Sequence, residues 1–275
     1  MNDAGTARVS DWLDLRSGLV SFTGAGGKSA AIDLVAGRAM AASGGRARVL
    51  VTSTGMVRDP RFAGGAARRF AGRVLLEPRW AIRDALGDAE RGELIAQLES
   101  RIAMGDPVFL ASAENRESRR LRGVPASALA DLRASCDLLL VECGSARGLP
   151  LPAAGTDGAG APGSDCIVAV VGLDALGRPC GPETAPDPAR LRAAAGCAPG
   201  DTIEPRHIAA LAASPEGLFR GHPAGCRAVL ALNKADLLPE AEITALLREI
   251  SAALPPDIEV IACSFALDLI YARAR

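Results

Sequence analysis

Apolar runs rich in β-branched residues recur along this chain, and each is followed by a turn and then by apolar residues at helical spacing. Residues 19–23 (LVSFT) read as a strand, and residues 28–42 carry the spacing of a helix that Gly44 and Gly45 end. Residues 48–54 (RVLVTST) form a second predicted strand, and 73–76 and 108–112 are shorter ones around an amphipathic helix near 79–102. A helix over 127–134 feeds DLLLVE at 137–142, an apolar strand ending in an acid. CIVAVVG at 166–172 and VLALN at 229–233 repeat the pattern, and 258–262 closes the set. Runs that are apolar on both sides of the pleat suit parallel strands covered by helices on both faces. The alternation predicts an α/β fold with a doubly wound, mostly parallel sheet.

Two irregular stretches punctuate this pattern: the Gly/Ala/Pro-rich residues 153–164 and the proline-crowded residues 179–188. Neither is long enough to serve as an interdomain linker, so residues 1–275 read as one domain, with a small helical insertion within 187–222. Composition narrows the classes further. A 49% apolar and 23% charged chain is not wholly disordered. With 31 Lys+Arg against 32 Asp+Glu there is no global basic field to hold nucleic acid or an anionic membrane. The seven cysteines are scattered without a C-x-x-C pair, which suits neither a disulfide framework nor a metal–thiolate centre. His207 and His222 fall in stretches expected at the surface. The opening residues MNDAG lack the basic and apolar parts of a signal peptide, and no apolar stretch approaches the ~18 residues that span a bilayer. The expectation is a reduced, cytoplasmic protein with neither a membrane nor a nucleic-acid partner.

The sharpest chemical signal lies between the first strand and the first long helix, at Phe22-Thr23-Gly24-Ala25-Gly26-Gly27-Lys28-Ser29. Glycines let successive backbone N–H groups turn inward around a phosphate, and the helix N-terminus adds the positive end of its dipole. Gly24, Ala25, Gly26, Gly27, Lys28 and Ser29 are therefore the predicted phosphate-binding set, with Lys28 at the β/γ-phosphates and the Ser29 hydroxyl on Mg²⁺. The strict G-x-x-x-x-G-K-[ST] pattern places glycine where this chain has Phe22. The competing reading is a glycine turn before a helix that opens with Lys-Ser, and the flanking strand and helix argue against it. A sheet of P-loop NTPase type follows.

Asn233-Lys234-Ala235-Asp236 ends a buried strand. N-K-x-D is how many P-loop GTPases read guanine, the carboxylate accepting from N1–H and the exocyclic amine; the bland alternative is a strand end capped by Asp. Strand C-termini are where open α/β sheets bind ligands, so Asn233, Lys234 and Asp236 are the predicted base-binding residues. Glu142, the acid after DLLLV, is placed to hold Mg²⁺ or orient a water and joins Lys28 as a candidate catalytic residue, whereas Asp137 reads as a cap. Asp174 and Arg178, in the loop GLDALGRP, are candidate substrate or sensor residues beside a default reading as a plain turn.

The order F-T-G-A-G-G-K-S, V-T-S-T, D-L-L-L-V-E, A-R-G-L-P-L, V-V-G-L-D-A-L-G-R-P and L-N-K-A-D resembles the YqeC-type selenium-dependent molybdenum hydroxylase accessory proteins from about Leu19 to Asp236. The resemblance implies a P-loop protein that binds GTP or ATP with Mg²⁺ and helps mature a molybdenum hydroxylase, selenium being the delivered element. Its partners would be the nucleotide and that hydroxylase or its cofactor-maturation proteins. The chain departs from the family pattern at Gly55-Met56, where a His is usual, at Cys143-Gly144-Ser145 after the strand acid, at the 153–164 loop and at Ala185-Pro186-Asp187. These departures fall on the presumed substrate side.

Two other readings use the same residues. A small-molecule kinase or nucleotidyltransferase would direct the γ-phosphoryl group to a substrate near Asp174, and a divergent module would bind nucleotide without turnover. Among lesser candidates, Cys143 is a sulfur or selenium carrier or an inert strand-end thiol, the second being the commoner case. Arg116, Arg119, Arg120 and Arg122 form a basic cluster that docks an acidic partner or a pterin-dinucleotide phosphate or, more ordinarily, is a solvated face.

Overall fold

The computed structural model describes residues 7–62, 70, 73–103, 105–144, 147–152 and 159–274. Of the stretches singled out above, the N-terminal MNDAG, Ser145, Ala146 and residues 153–158 of the glycine-rich loop lie outside the described residues. In chain order the elements are α1 (Val9–Leu13), β1 (Gly18–Gly24), α2 (Lys28–Ala42), β2 (Val49–Ser53), β3 (Met56–Arg58), β4 (Val74–Leu76), α3 (Asp88–Ile102), β5 (Val108–Ala111), β6 (Ala113–Asn115), β7 (Arg120–Arg122), α4 (Leu129–Ser135), β8 (Leu138–Glu142), β9 (Cys166–Gly172), α5 (Pro188–Ala195), α6 (Pro205–Ala213), β10 (Arg227–Asn233), α7 (Glu240–Ala252), β11 (Ile258–Ser264) and β12 (Leu269–Ala274).

Nine strands form one sheet in the order β12-β11-β10-β9-β1-β8-β2-β5-β4. Every neighbour pair is parallel except β11–β12. The first strand is thus central, the chain building outward from it first to one side and then to the other, which is the doubly wound arrangement expected. Alternation along the strands explains why both faces are covered. Val20 and Phe22 of β1, Leu138 and Leu140 of β8, and Val168 and Val170 of β9 pack with Ile32 and Val35 of α2. On the other face Leu50, Leu139 and Val141 meet Leu94 and Leu98 of α3 and Leu132 of α4. Further along that face Val171, Leu230 and Val260 meet Ile208 of α6 and Ile250 of α7. Between these two patches β1 presents hydroxyls, and each is satisfied: Ser21 Oγ pairs with Ser164 Oγ at 2.7 Å, and Thr23 Oγ1 donates to the Leu218 carbonyl at 2.9 Å.

Some predicted elements change. The helix expected near 79–102 is two pieces, a 3-10 helix at Pro78–Ala85 and then α3. Gly87 is extended and its N–H donates to the Glu90 carboxylate at 2.9 Å, so a new helix starts there. The set does not close at residue 262: β11 runs to Ser264 and turns into the antiparallel β12. A second sheet, β3-β7-β6, is antiparallel and three-stranded. Helices α5 and α6 fall within residues 187–222. His207 is buried, its Nδ1 accepting from the Glu204 N–H at 3.0 Å at the start of α6. Asp137 caps no helix; its carboxylate accepts from the Arg48 N–H and guanidinium at 2.8 and 2.7 Å. Among the described residues no helix is long and apolar enough to cross a membrane, and no group of three or more His, Cys, Asp and Glu could hold a metal ion.

Candidate functional site

The carboxyl ends of β1, β8, β10 and β11 open on one cavity of about 700 Å³, whose wall includes Gly26, Gly27, Lys28, Ser29, Glu142, Asn233, Lys234, Asp236 and Ser264. Its floor follows from how β1 ends. Phe22 is fully buried among apolar side chains and pairs with Glu142 across the ladder, so the strand continues through the position where the strict motif has glycine. The turn begins at Gly24, whose φ of 79° is left-handed and whose added Cβ would stand 2.0 Å from the Val170 carbonyl oxygen. At Gly27 φ is 143°, and a Cβ would meet Asn233 Nδ2 at 2.2 Å. Helix α2 then starts at Lys28 without a side-chain cap, leaving its first N–H groups and the positive end of its dipole at the cavity.

Lys28 folds back over the loop: its Nζ donates to the Gly24 carbonyl at 2.7 Å and lies 3.8 Å from Glu142 Oε1. Burial pushes its ammonium below the ordinary lysine range, while the charge of Glu142, and secondarily Cys143, pulls it back up. Ser29 Oγ donates to Glu142 Oε2 at 3.0 Å. A hydroxyl and a carboxylate side by side are hard oxygen donors of the kind Mg²⁺ takes. The donor set and the glycine cradle, in which side chains would have no room, both fit a magnesium–phosphate group.

On the other side of the loop both ends of the Asn233 amide are hydrogen-bonded. Its Nδ2 donates to the Gly26 carbonyl at 2.7 Å and its Oδ1 accepts from the Phe265 N–H at 3.0 Å. Asn233 therefore ties the glycine loop to β10 and to the end of β11. Lys234 takes a left-handed φ of 66°, and its Nζ donates to Asp174 Oδ2 at 2.6 Å. Asp236 is exposed at the cavity wall.

Not every predicted site residue reaches that wall. Gly24 and Ala25 lie beneath it, the Ala25 N–H donating to the Val170 carbonyl at 2.7 Å. Asp174 is likewise absent from the wall; one of its oxygens holds Lys234, and the other, Oδ1, is buried without a hydrogen-bond partner among the described residues. Arg178 is outside it too, 3.8 Å from Glu183. Cys143 is buried, and burial pushes its thiol up, the opposite of what a thiolate carrier requires. The wall also includes Met56 and Arg58 from β3, Ser118, Arg119 and Arg120 from the β6–β7 hairpin, and Arg147. Two of these, Arg119 and Arg120, belong to the cluster that reads either as a dock for an acidic partner or phosphate or, more ordinarily, as a solvated face, and the pairing of the small sheet brings them here.

Fold and site together define a doubly wound α/β protein with a glycine loop of P-loop type at the carboxyl edge of its central strand. The chain belongs to the YqeC family, whose model, described as YqeC protein, matches residues 20–188. A similar protein is "Uncharacterized protein YqeC" of Escherichia coli (strain K12), 32% identical over 103 residues, which are 37% of this chain and 40% of that relative. The match thus spans about two fifths of the relative's length. The glycine loop and Glu142 fall inside the family match, and Asn233 to Asp236 fall beyond it.

Proposed function

We propose that this cavity binds a nucleoside triphosphate with Mg²⁺, GTP in preference to ATP, and that the chain is an accessory protein whose nucleotide state gates maturation of a molybdenum hydroxylase. The observation that carries the nucleotide reading is the convergence of the glycine loop, Glu142 and the Asn233–Asp236 segment on one cavity. Membership of the YqeC family supports the accessory role. The hydroxylase and the selenium chemistry rest on the sequence resemblance alone.

In this reading the uncapped N–H groups of α2 and Lys28 take the β- and γ-phosphates, and Ser29 and Glu142 hold the metal. Mg²⁺, when bound, supplies Lewis-acid neutralisation of phosphate charge. Glu142 also orients the water for hydrolysis. Asp236 accepts from the guanine edge, and the Lys234 stem, steadied by Asp174, packs beside the base. Asn233 acts through the loop it braces. The kinase reading needs a substrate at Asp174, and that residue is occupied with Lys234 away from the cavity wall.

The test is thermal unfolding with Mg²⁺ and GTP or ATP. A ligand at a hundred times its Kd stabilises by about 2.7 kcal/mol, which is about 5 °C in Tm for a chain of this size. GTP is expected to give the larger shift and Lys28→Ala to remove most of it. No shift with either nucleotide, or an unchanged shift in Lys28→Ala, overturns the assignment; equal shifts for GTP and ATP remove the base-reading role of Asp236.

A further inference from the structure

We propose that the cavity takes a second, phosphate-bearing small molecule beside the nucleotide, held by Arg58, Arg119 and Arg147; this rests on the nucleotide reading above. The first observation is charge. The cavity wall carries six basic side chains, Lys28, Arg58, Arg119, Arg120, Arg147 and Lys234, against the two acids Glu142 and Asp236 and, behind the wall, Asp174 paired with Lys234. The whole chain is balanced to a net charge of −1, so this is a local concentration. A magnesium triphosphate neutralises only part of it.

The second observation is how nearby arginines are used. Arg61 is satisfied by Asp59 and Glu114 at 2.6 and 2.7 Å, and Arg116 by Glu114 at 2.6 Å. Arg58 instead donates to the Phe62 carbonyl, at 3.2 Å, and Arg119 lies 5.1 Å over the Phe62 ring. Among the described residues no carboxylate stands within 4.0 Å of Arg58, Arg119 or Arg147, and all three are exposed to the cavity. Asp59, just after β3, and Glu114 of β6 are at hand and are spent on Arg61 and Arg116.

The third observation is backbone conformation. Five non-glycine residues have positive φ among those described, and three of them, Arg119 (52°), Arg147 (52°) and Lys234 (66°), are basic and line this cavity. Glycine would fit each turn without strain, and strained side chains at a ligand site are where an unfavourable conformation has a use. Guanidinium groups match phosphate oxygens in pairs, which favours a phosphate ester over a monocarboxylate. Because the arginines share the cavity with the glycine loop, the ligand is a small molecule seated next to the nucleotide.

The experiment titrates the full chain, saturated with Mg²⁺ and a non-hydrolysable GTP analogue, with inorganic phosphate in a calorimeter. One phosphate per chain is expected, with Arg119→Gln/Arg147→Gln weakening it at least about tenfold, the scale of a lost charge-assisted contact. The double variant keeps its nucleotide affinity. Arg119→Gly/Arg147→Gly, which suits both turns, repeats the test should the first pair fold poorly. No phosphate uptake beside the nucleotide, or uptake unchanged in the variants, overturns the proposal. Loss of nucleotide and phosphate affinity by the same factor overturns it too, because the arginines then serve the nucleotide's own phosphates. Should no nucleotide bind at all, the functional reading fails separately: phosphate titrated into Lys28→Ala then supports the arginine site if it binds and the double substitution abolishes it, and overturns it otherwise.

Discussion

Replacing Asn233 by Ala isolates the brace that shapes the glycine loop, and its effect follows from two hydrogen bonds. The amide donates to the Gly26 carbonyl at 2.7 Å and accepts from the Phe265 N–H at 3.0 Å, and Asn233 is itself 5% exposed. Truncation leaves the buried Phe265 N–H unpaired, at about 1–3 kcal/mol, and frees the Gly26 carbonyl beside the cavity, where water recovers part of its loss. The sum is about 2–4 kcal/mol, or about 4–8 °C in Tm at ~2 °C per kcal/mol for a domain of this length. Gly27→Ala acts on the same brace from the other side, since its methyl would stand 2.2 Å from Asn233 Nδ2. The two substitutions therefore do not add: once Asn233 is Ala, the added methyl at residue 27 retains its backbone strain and loses its clash. The assay is urea unfolding of both single variants and the double variant, read as a double-mutant cycle. A loss below about 0.5 kcal/mol for Asn233→Ala, the scale of ordinary surface substitutions, refutes the brace, as does strict additivity of the pair.

Two further outcomes follow from the charges at the loop. Burial lowers the pKa of Lys28 below its ordinary 10.5, so between the lowered value and 10.5 the folded chain binds fewer protons than the unfolded one. Stability contributed through Lys28 therefore rises with pH across that window, and urea unfolding at several alkaline pH values is expected to show a slope that Lys28→Met reduces; an identical slope in both refutes the buried ammonium. Glu142→Gln keeps an acceptor for Ser29 Oγ but loses the charge beside Lys28, and is expected to slow nucleotide hydrolysis about a hundredfold while changing nucleotide affinity much less. Unaltered turnover in that variant makes Glu142 a structural partner of Lys28 and Ser29.

The parallel core was legible because its signals are local. CIVAVVG occupies the predicted β9 residue for residue, and the helix read over 28–42 is α2 to the residue. The errors arise where tertiary partners decide. Arg120–Arg122 and Ala113–Asn115 are three-residue strands with no run long enough to carry period-two alternation, and they exist because they pair with each other and with Met56–Arg58. His207 reads as a surface residue in sequence, yet its ring is drawn in to satisfy the Glu204 N–H at a helix start. Gly87 lies inside an amphipathic pattern that reads as one helix, and it separates a 3-10 helix from α3.

The site divides along the same line. The glycine loop is contiguous, so residue spacing alone implied its turn, and the left-handed φ at Gly24 and the uncapped start of α2 follow from those residues. Glu142 and Asn233 were legible only as acids or amides at strand ends; their meeting at one cavity depends on β8 lying directly beside β1, and on β10 one strand beyond β9. Sequence reading also assigned Asn233 to a base, whereas its hydrogen bonds commit it to the loop and to Phe265. The arginine wall was least legible of all. Arg119 and Arg147 are 28 residues apart in sequence, on a hairpin and on a turn after β8, and nothing local marks either as part of a cavity. What distinguishes them is that no carboxylate among the described residues stands within 4.0 Å of either, Asp59 and Glu114 being paired with Arg61 and Arg116. An acid within reach of Arg58 or Arg119 would have made the same sequence cluster an ordinary solvated face, so the chemistry of this wall is decided by pairing geometry rather than by residue type.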